Sequence, residues 1–121
     1  LAGIGQSGIV GIGGDPIIGQ TFSEVMDVFK ADGRTRAAVM IGEVGGNLEI
    51  LGARRALAMG LPVVAYIAGI SAPKEKRMGH AGAIVEGGES DAASKIVRLQ
   101  ELGIPVATRP SQIPELIREF L

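Results

Sequence analysis

The chain has 121 residues, enough for one α/β domain, and 46% of them are apolar but only 3% aromatic, so its core is built from Val, Ile, Leu, Ala and Met. Twelve basic residues against 13 acidic ones leave a net charge of -1, which gives no electrostatic basis for binding nucleic acid or an anionic membrane. The lack of cysteine excludes disulfides, thiolate metal sites and thiol catalysis, and no apolar run approaches the ~20 residues of a membrane span.

Short apolar runs alternate with helical patterns along the chain, the signature of a parallel sheet covered by helices. Gly8-Ile9-Val10-Gly11-Ile12 reads as the first strand and stops at Gly13-Gly14-Asp15-Pro16. Thr21 followed three residues later by Glu24 is a capping-box spacing, and the helix behind it buries Phe22, Val25, Met26 and Phe29. Ala37-Ala38-Val39-Met40-Ile41 is a continuous apolar run, expected of a strand covered on both faces, and it ends at Gly42-Glu43-Val44-Gly45-Gly46. Asn47 caps a second helix to about Ala58, with Gly60 and Pro62 beyond its end. Pro62 to Ala68 reads as a further buried strand, and a long loop then runs from Gly69 to about Gly82. Ala83-Ile84-Val85 has the makings of a short strand. A helix from Ser90 to Leu102 turns Ile96, Leu99 and Leu102 inward, and a strand (Ile104 to Ala107) and a helix (Ser111 to Leu121) close the chain. The expected fold is a flavodoxin-like, doubly wound, mainly parallel sheet of four or five strands with helices on both faces, in one domain spanning residues 1–121.

In open parallel sheets, ligands bind beyond the carboxyl ends of the strands. The three unusual loops fall there: Gly11 to Pro16, Gly42 to Gly46, and Ser71 to Gly82. Nineteen glycines are roughly twice the usual ~7% share, and they cluster in these loops. Glycine lets backbone N–H groups approach an anion, and each following helix adds its positive end. That makes Gly13, Gly14, Gly45, Gly46, Gly79 and Gly82 candidate phosphate-binding positions. Tight turns after strands need glycine too, and neither of the first two loops matches a Walker or dinucleotide fingerprint.

The third loop carries His80, the sole histidine, between Gly79 and Ala81-Gly82 and just after Lys74, Lys76 and Arg77. It stands on a loop rather than an apolar face, with room around the imidazole for a group attached to it. An imidazole nitrogen attacks a phosphoryl group when its other nitrogen donates to a carboxylate. Glu43 is the natural orienting acid, because a buried strand end would otherwise be apolar; Asp15 is the alternative, and helix capping is the plain role open to both. One histidine with scattered carboxylates has no metal-ligand spacing, and no Gly-x-Ser-x-Gly elbow is present.

Four blocks carry a family likeness: Gly11-Ile12-Gly13-Gly14-Asp15-Pro16-Ile17, Gly42-Glu43-Val44-Gly45-Gly46, Ala65-Tyr66-Ile67-Ala68-Gly69, and Lys76-Arg77-Met78-Gly79-His80-Ala81-Gly82-Ala83-Ile84. In their order and nearly in their spacing they resemble the second, CoA-ligase domain of the succinyl-CoA synthetase α subunit, from about Ile4 to the last residue. The resemblance implies a tricarboxylic acid cycle ligase that makes an acyl phosphate, passes its phosphoryl group to a histidine, and hands it to ADP or GDP. His80 matches the phosphorylated histidine and Glu43 the glutamate bonded to it.

It also implies an ATP-grasp β subunit as partner, with CoA, ATP or GTP and magnesium serving the complete enzyme and no cofactor held by this domain alone. The setting it implies is the cytoplasm, or the mitochondrial matrix in a eukaryote. The family's N-terminal CoA-binding domain is not in this sequence, which opens on Leu1 rather than Met, as expected of a domain cut from something longer. Glu75 stands where the family usually has glycine, and the helix after Asn47 is about one residue short. Malate–CoA and citrate–CoA ligases share the pattern, and a non-catalytic anion-binding or subunit-interaction module is the reading from another class.

Overall fold

The computed structural model describes residues 2–70 and 91–121. Its first regular element is α1 (Phe22–Asp32), and both halves of the capping box form: Glu24 donates its N–H to the Thr21 hydroxyl at 3.3 Å, and its carboxylate accepts the Thr21 N–H at 2.7 Å. The helix stops at Gly33, whose φ of 72° is a conformation that other residues rarely take. Val25 and Met26 are buried, and Phe22 and Phe29 pack half-buried against the core.

Three strands follow: β1 (Ala38–Gly42), β2 (Val63–Ile67) and β3 (Val106–Ala107). They form a parallel sheet in the order β1-β2-β3, with Ala38 opposite Val63, Gly42 opposite Ile67, and Ala65 opposite Val106. Between the first two strands lies α2 (Leu48–Ala58), and before the third α3 (Ala92–Glu101). A 3-10 turn over Pro110–Gln112 leads into α4 (Ile113–Arg118). One main core gathers Ala38 and Met40 of β1, Val63, Ala65 and Ile67 of β2, Ile50, Ala53 and Ala56 of α2, and Leu99 of α3. The strand residues in it share one parity, so α2 and α3 cover one face of the sheet. Val64, of the other parity, is also fully buried, and α4 packs on β2 with Ile117 buried. Helices thus lie on both faces, as the sequence led one to expect.

Two expectations are corrected. Gly8–Ile12 is not a strand: Ile9 is 81% exposed, and the segment touches the rest of the molecule through Gly8 against Phe29 and the Ser7 hydroxyl bonded to Thr35 at 2.7 Å. Two glycines in five residues weaken a strand, and apolar alternation cannot make one without a ladder partner. The sheet has three strands among the described residues, and the further strand expected at Ala83–Val85 lies outside them. The run Ala37 to Ile41 is not covered on both faces either. Within β1 burial alternates, leaving Ile41 61% exposed, because β1 is the outer strand among the described residues and α4 lies chiefly over β2.

Candidate functional site

The carboxyl ends of β1 and β2 lie side by side, with the Ala68 N–H donating to the Gly42 carbonyl at 2.8 Å. From this rim the chain continues on one side through Glu43 to Asn47 and on the other through Gly69 and Ile70. The turn after β1 reverses on two glycines in succession, Gly45 at φ 89° and Gly46 at φ 62°. Val44 is buried in the core and anchors the turn from below, while Glu43 is half-buried. Asn47 occupies the cap position of α2, but its side chain makes no capping bond, so it does not take up the first amides of that helix.

Beneath this turn lies a buried ion pair. Lys95, in the first turn of α3, is fully buried, and Glu49, in the first turn of α2, is 4% exposed. The Lys95 ammonium donates to the Glu49 Oε2 at 2.9 Å, the Glu43 carbonyl at 2.6 Å and the Gly45 carbonyl at 2.7 Å. Those three acceptors use all three of its hydrogens. The other Glu49 oxygen accepts the Glu43 N–H at 3.2 Å. Both backbone polar groups of Glu43 are therefore held by the same pair. Taking two charges out of water is costly unless the pair is also fully hydrogen-bonded, as it is here. Among the described residues no buried side-chain nitrogen or oxygen lacks a partner.

Gly42 makes room for this arrangement. A methyl group there would overlap the Glu49 carboxylate and its Cγ, so the last residue of β1 must be glycine for the acid to lie flat against the strand. Gly52 serves the same end at longer range. A side chain on it would come within 2.5 Å of the Phe22 Cβ, and its absence lets α1 press closely on α2.

Of the residues singled out from sequence, Glu43, Gly45 and Gly46 share this one turn at the sheet rim. Gly13, with φ 92°, and half-buried Gly14 lie in irregular backbone with no strand leading into them, and Asp15 is exposed. His80, Gly79 and Gly82 lie outside the described residues, as do Lys74, Lys76 and Arg77. The described residues break off after Ile70 and resume at Asp91, which caps α3 by accepting the Ser94 N–H at 2.7 Å; Lys95 stands one turn further on. On the near side Ala68 is bonded to Gly42, and on the far side Lys95 is bonded to the Glu43 and Gly45 carbonyls.

Sequence reasoning missed Lys95 and Glu49. Each is a lone charge on an otherwise apolar helical stripe, Lys95 among Ala92, Leu99 and Leu102, Glu49 among Ala53 and Ala56. Two opposite charges so placed on neighbouring helices were the available signal. No group of three or more His, Asp or Glu among the described residues could hold a metal ion, and no helix there is long and apolar enough to cross a membrane.

The family model for CoA-ligase matches residues 1–104. The chain is 50% identical over 119 residues to α subunit 2 of the ADP-forming succinate–CoA ligase of Archaeoglobus fulgidus, covering 98% of this chain and 42% of that protein. It is also 50% identical over 120 residues to the corresponding α subunit of Methanothermobacter thermautotrophicus, covering 99% of this chain and 41% of that one. The chain spans about two-fifths of the length of these curated relatives. Among solved structures, ATP citrate lyase from Methanothrix soehngenii, in complex with citrate and coenzyme A, superposes with a TM-score of 0.78 at 24% identity, over 89% of this chain and 18% of that one. At that identity the likeness concerns the fold.

Proposed function

This chain belongs to the CoA-ligase family, and from that premise we propose that it is the phosphoryl-relay domain of an ADP- or GDP-coupled succinate–CoA ligase, with His80 as the carrier and Glu43 as its orienting acid. The observation that carries the reading is the Glu43 turn. A carboxylate on a pair of left-handed glycines, at the carboxyl rim of a parallel sheet, has its backbone fixed from beneath and its side chain half-exposed. Described residues on either side of the His80 segment bond this rim: Ala68 to the Gly42 carbonyl, and Lys95 to the carbonyls of Glu43 and Gly45.

In the proposed cycle one imidazole nitrogen of His80 attacks the phosphorus of succinyl phosphate. A P–N bond forms, the acyl P–O bond breaks, and its electron pair leaves on the succinate carboxylate. The Glu43 carboxylate accepts the N–H of the other ring nitrogen, which fixes the tautomer and stabilises the positive charge that develops on the ring. A terminal phosphate oxygen of the nucleoside diphosphate then attacks the same phosphorus, and the P–N bond breaks to regenerate the imidazole. Amides of Gly45 and Gly46, with the uncapped N-terminus of α2, are suited to the phosphoryl oxygens, and Gly79 and Gly82 give the imidazole room for its cargo. Gly13 and Gly14 belong to the same proposed phosphate cradle through the first glycine loop. Magnesium and nucleotide are assigned to an ATP-grasp β subunit, as the resemblance to succinyl-CoA synthetase implies.

The test uses the complete ligase assembled with its β subunit and γ-labelled ATP, running the relay in reverse. Wild type should take up an acid-labile, base-stable label, His80→Asn none, and Glu43→Gln should label slowly with a melting temperature near wild type. Equal labelling of His80→Asn refutes the relay. Succinate, malate and citrate compared as substrates decide the acyl group, for which the 50%-identical relatives favour succinate.

A further inference from the structure

Glu43 is held at both polar groups of its backbone. A half-buried acid just past the end of a strand, on a turn containing two glycines, would ordinarily sample several backbone conformations. Here the N–H of Glu43 is fixed by Glu49, its carbonyl by Lys95, and the carbonyl two residues on by Lys95 again. The turn is thereby pinned at both ends by one ammonium group. Simple stability does not call for this arrangement. Two apolar side chains of similar size would fill the same space without the cost of desolvating two charges. What an apolar pair could not do is bond the main chain of the turn.

We propose that Lys95 and Glu49 are positioning residues for phosphoryl transfer: they lock the backbone of Glu43 and Gly45 so that the Glu43 carboxylate has one aim and the amides beyond it one arrangement. The inference rests on the reading of Glu43 as the orienting acid and names the device that sets it. Lys95 belongs to the helix that follows the His80 segment, and Glu49 to the helix that follows the Glu43 turn. Their ion pair joins the two supports at the point nearest the rim.

The prediction separates aim from stability. In the complete ligase with its β subunit, Lys95→Met strands the Glu49 carboxylate and lowers both melting temperature and labelling rate. The double variant Lys95→Met/Glu49→Met replaces the pair with apolar side chains of similar length. Its melting temperature should return to near wild type, while labelling from γ-labelled ATP stays slower on the order of tenfold to a hundredfold. Amide hydrogen exchange at Glu43 and Gly45 should be faster than in wild type. A double variant that labels at the wild-type rate overturns the proposal, because a merely structural pair would recover activity along with stability.

If the double variant does not fold, Glu49→Asp takes its place. It keeps the charge pair but withdraws an oxygen from the Glu43 amide by one methylene, and it should slow labelling with the fold retained. Wild-type labelling by Glu49→Asp is again contrary. Glu43→Gln and His80→Asn run alongside. Normal labelling by His80→Asn removes the relay reading itself, and normal labelling by Glu43→Gln removes the orienting acid on which the inference rests, whereas slow controls beside a fast double variant remove the positioning role alone.

Discussion

The two glycine-rich segments, Gly11 to Pro16 and Gly42 to Gly46, look alike in sequence and differ in how they are held. Both use left-handed glycine, Gly13 at φ 92°, Gly45 at 89° and Gly46 at 62°. Around the first, the segment from residue 2 to 20 is tied by solvent-exposed bonds: Ser7 to Thr35 at 2.7 Å and the Ala2 carbonyl to Arg118 at 2.5 Å. The second is bonded from below by a fully buried ammonium group and a buried carboxylate. Glycine permits a sharp turn in either place, but only the buried charge specifies which turn forms. Composition marks where a site can be, and the polar atoms underneath decide whether it is rigid.

The comparison predicts unequal costs. Lys95→Met should destabilise the protein by about 3–5 kcal/mol, because it leaves Glu49 charged, buried and unpaired. Ser7→Ala, which removes an exposed bond from the first segment, should stay within about 0.5 kcal/mol. Denaturant unfolding of both variants measures the difference. Similar costs for the two would mean that the surface ties hold the chain as firmly as the buried pair does.

Gly42→Ala comes next. The added methyl meets the Glu49 carboxylate, which four bonds around the turn keep from moving aside. A cost of about 1–3 kcal/mol is expected, as for other overpacked sites, with faster amide exchange at Glu43. A neutral Gly42→Ala would show that Glu49 can swing away freely, and the clamp would lose its rigidity.

A finer comparison sets Gly46→Ala against Gly13→Ala. A methyl group at either position meets nothing within 4 Å, so the cost is in the backbone alone. Alanine in the left-handed region costs about 1–2 kcal/mol where the turn cannot relax, the case expected for Gly46. Gly13 lies in backbone with no ladder bonds, which can shift to a negative φ, so about 0.5 kcal/mol or less is expected there. Equal costs by denaturant unfolding would put the two loops on the same footing.

Much of this was legible in the sequence. The capping box of α1, the ends of α2 and the order of helix and strand over residues 21–70 follow from residue types that act locally: Thr21 with Glu24, Gly33, Gly60 and a run of branched apolar side chains. Glu43 stood out as a candidate because an acid is out of place at the end of an apolar strand, and the structure puts it half-buried at the sheet rim. What local patterns miss are long-range partners. Gly8–Ile12 looks like a strand by its apolar run, yet a strand exists only where a neighbour offers a ladder. Lys95 meets the Glu43 carbonyl across 52 positions of sequence, and no window of a dozen residues holds both. Asn47 marks the start of α2 but does not bond it, so a cap position can be read from sequence where the cap interaction cannot.

The smallest effect concerns the junction where the weakly tied first segment enters α1. The Thr21 N–H, and after it the Thr21 hydroxyl, hold the Glu24 carboxyl below its usual range, with burial and the charge of Asp27 opposing them. The unfolded chain therefore binds a proton at Glu24 more readily than the folded one does. The cap's contribution is complete above the ordinary glutamate pKa, and it is lost as pH falls through the lower folded value. Because Glu24 is exposed, the change should appear as a slight steepening of the acid limb in a plot of melting temperature against pH, removed in Glu24→Gln. The Lys95–Glu49 pair provides the contrast, since stranding the buried Glu49 carboxylate by Lys95→Met costs far more than titrating an exposed cap. An acid limb that Glu24→Gln leaves unchanged would mean that the cap orders this junction without its charge, through the backbone geometry of Thr21 alone.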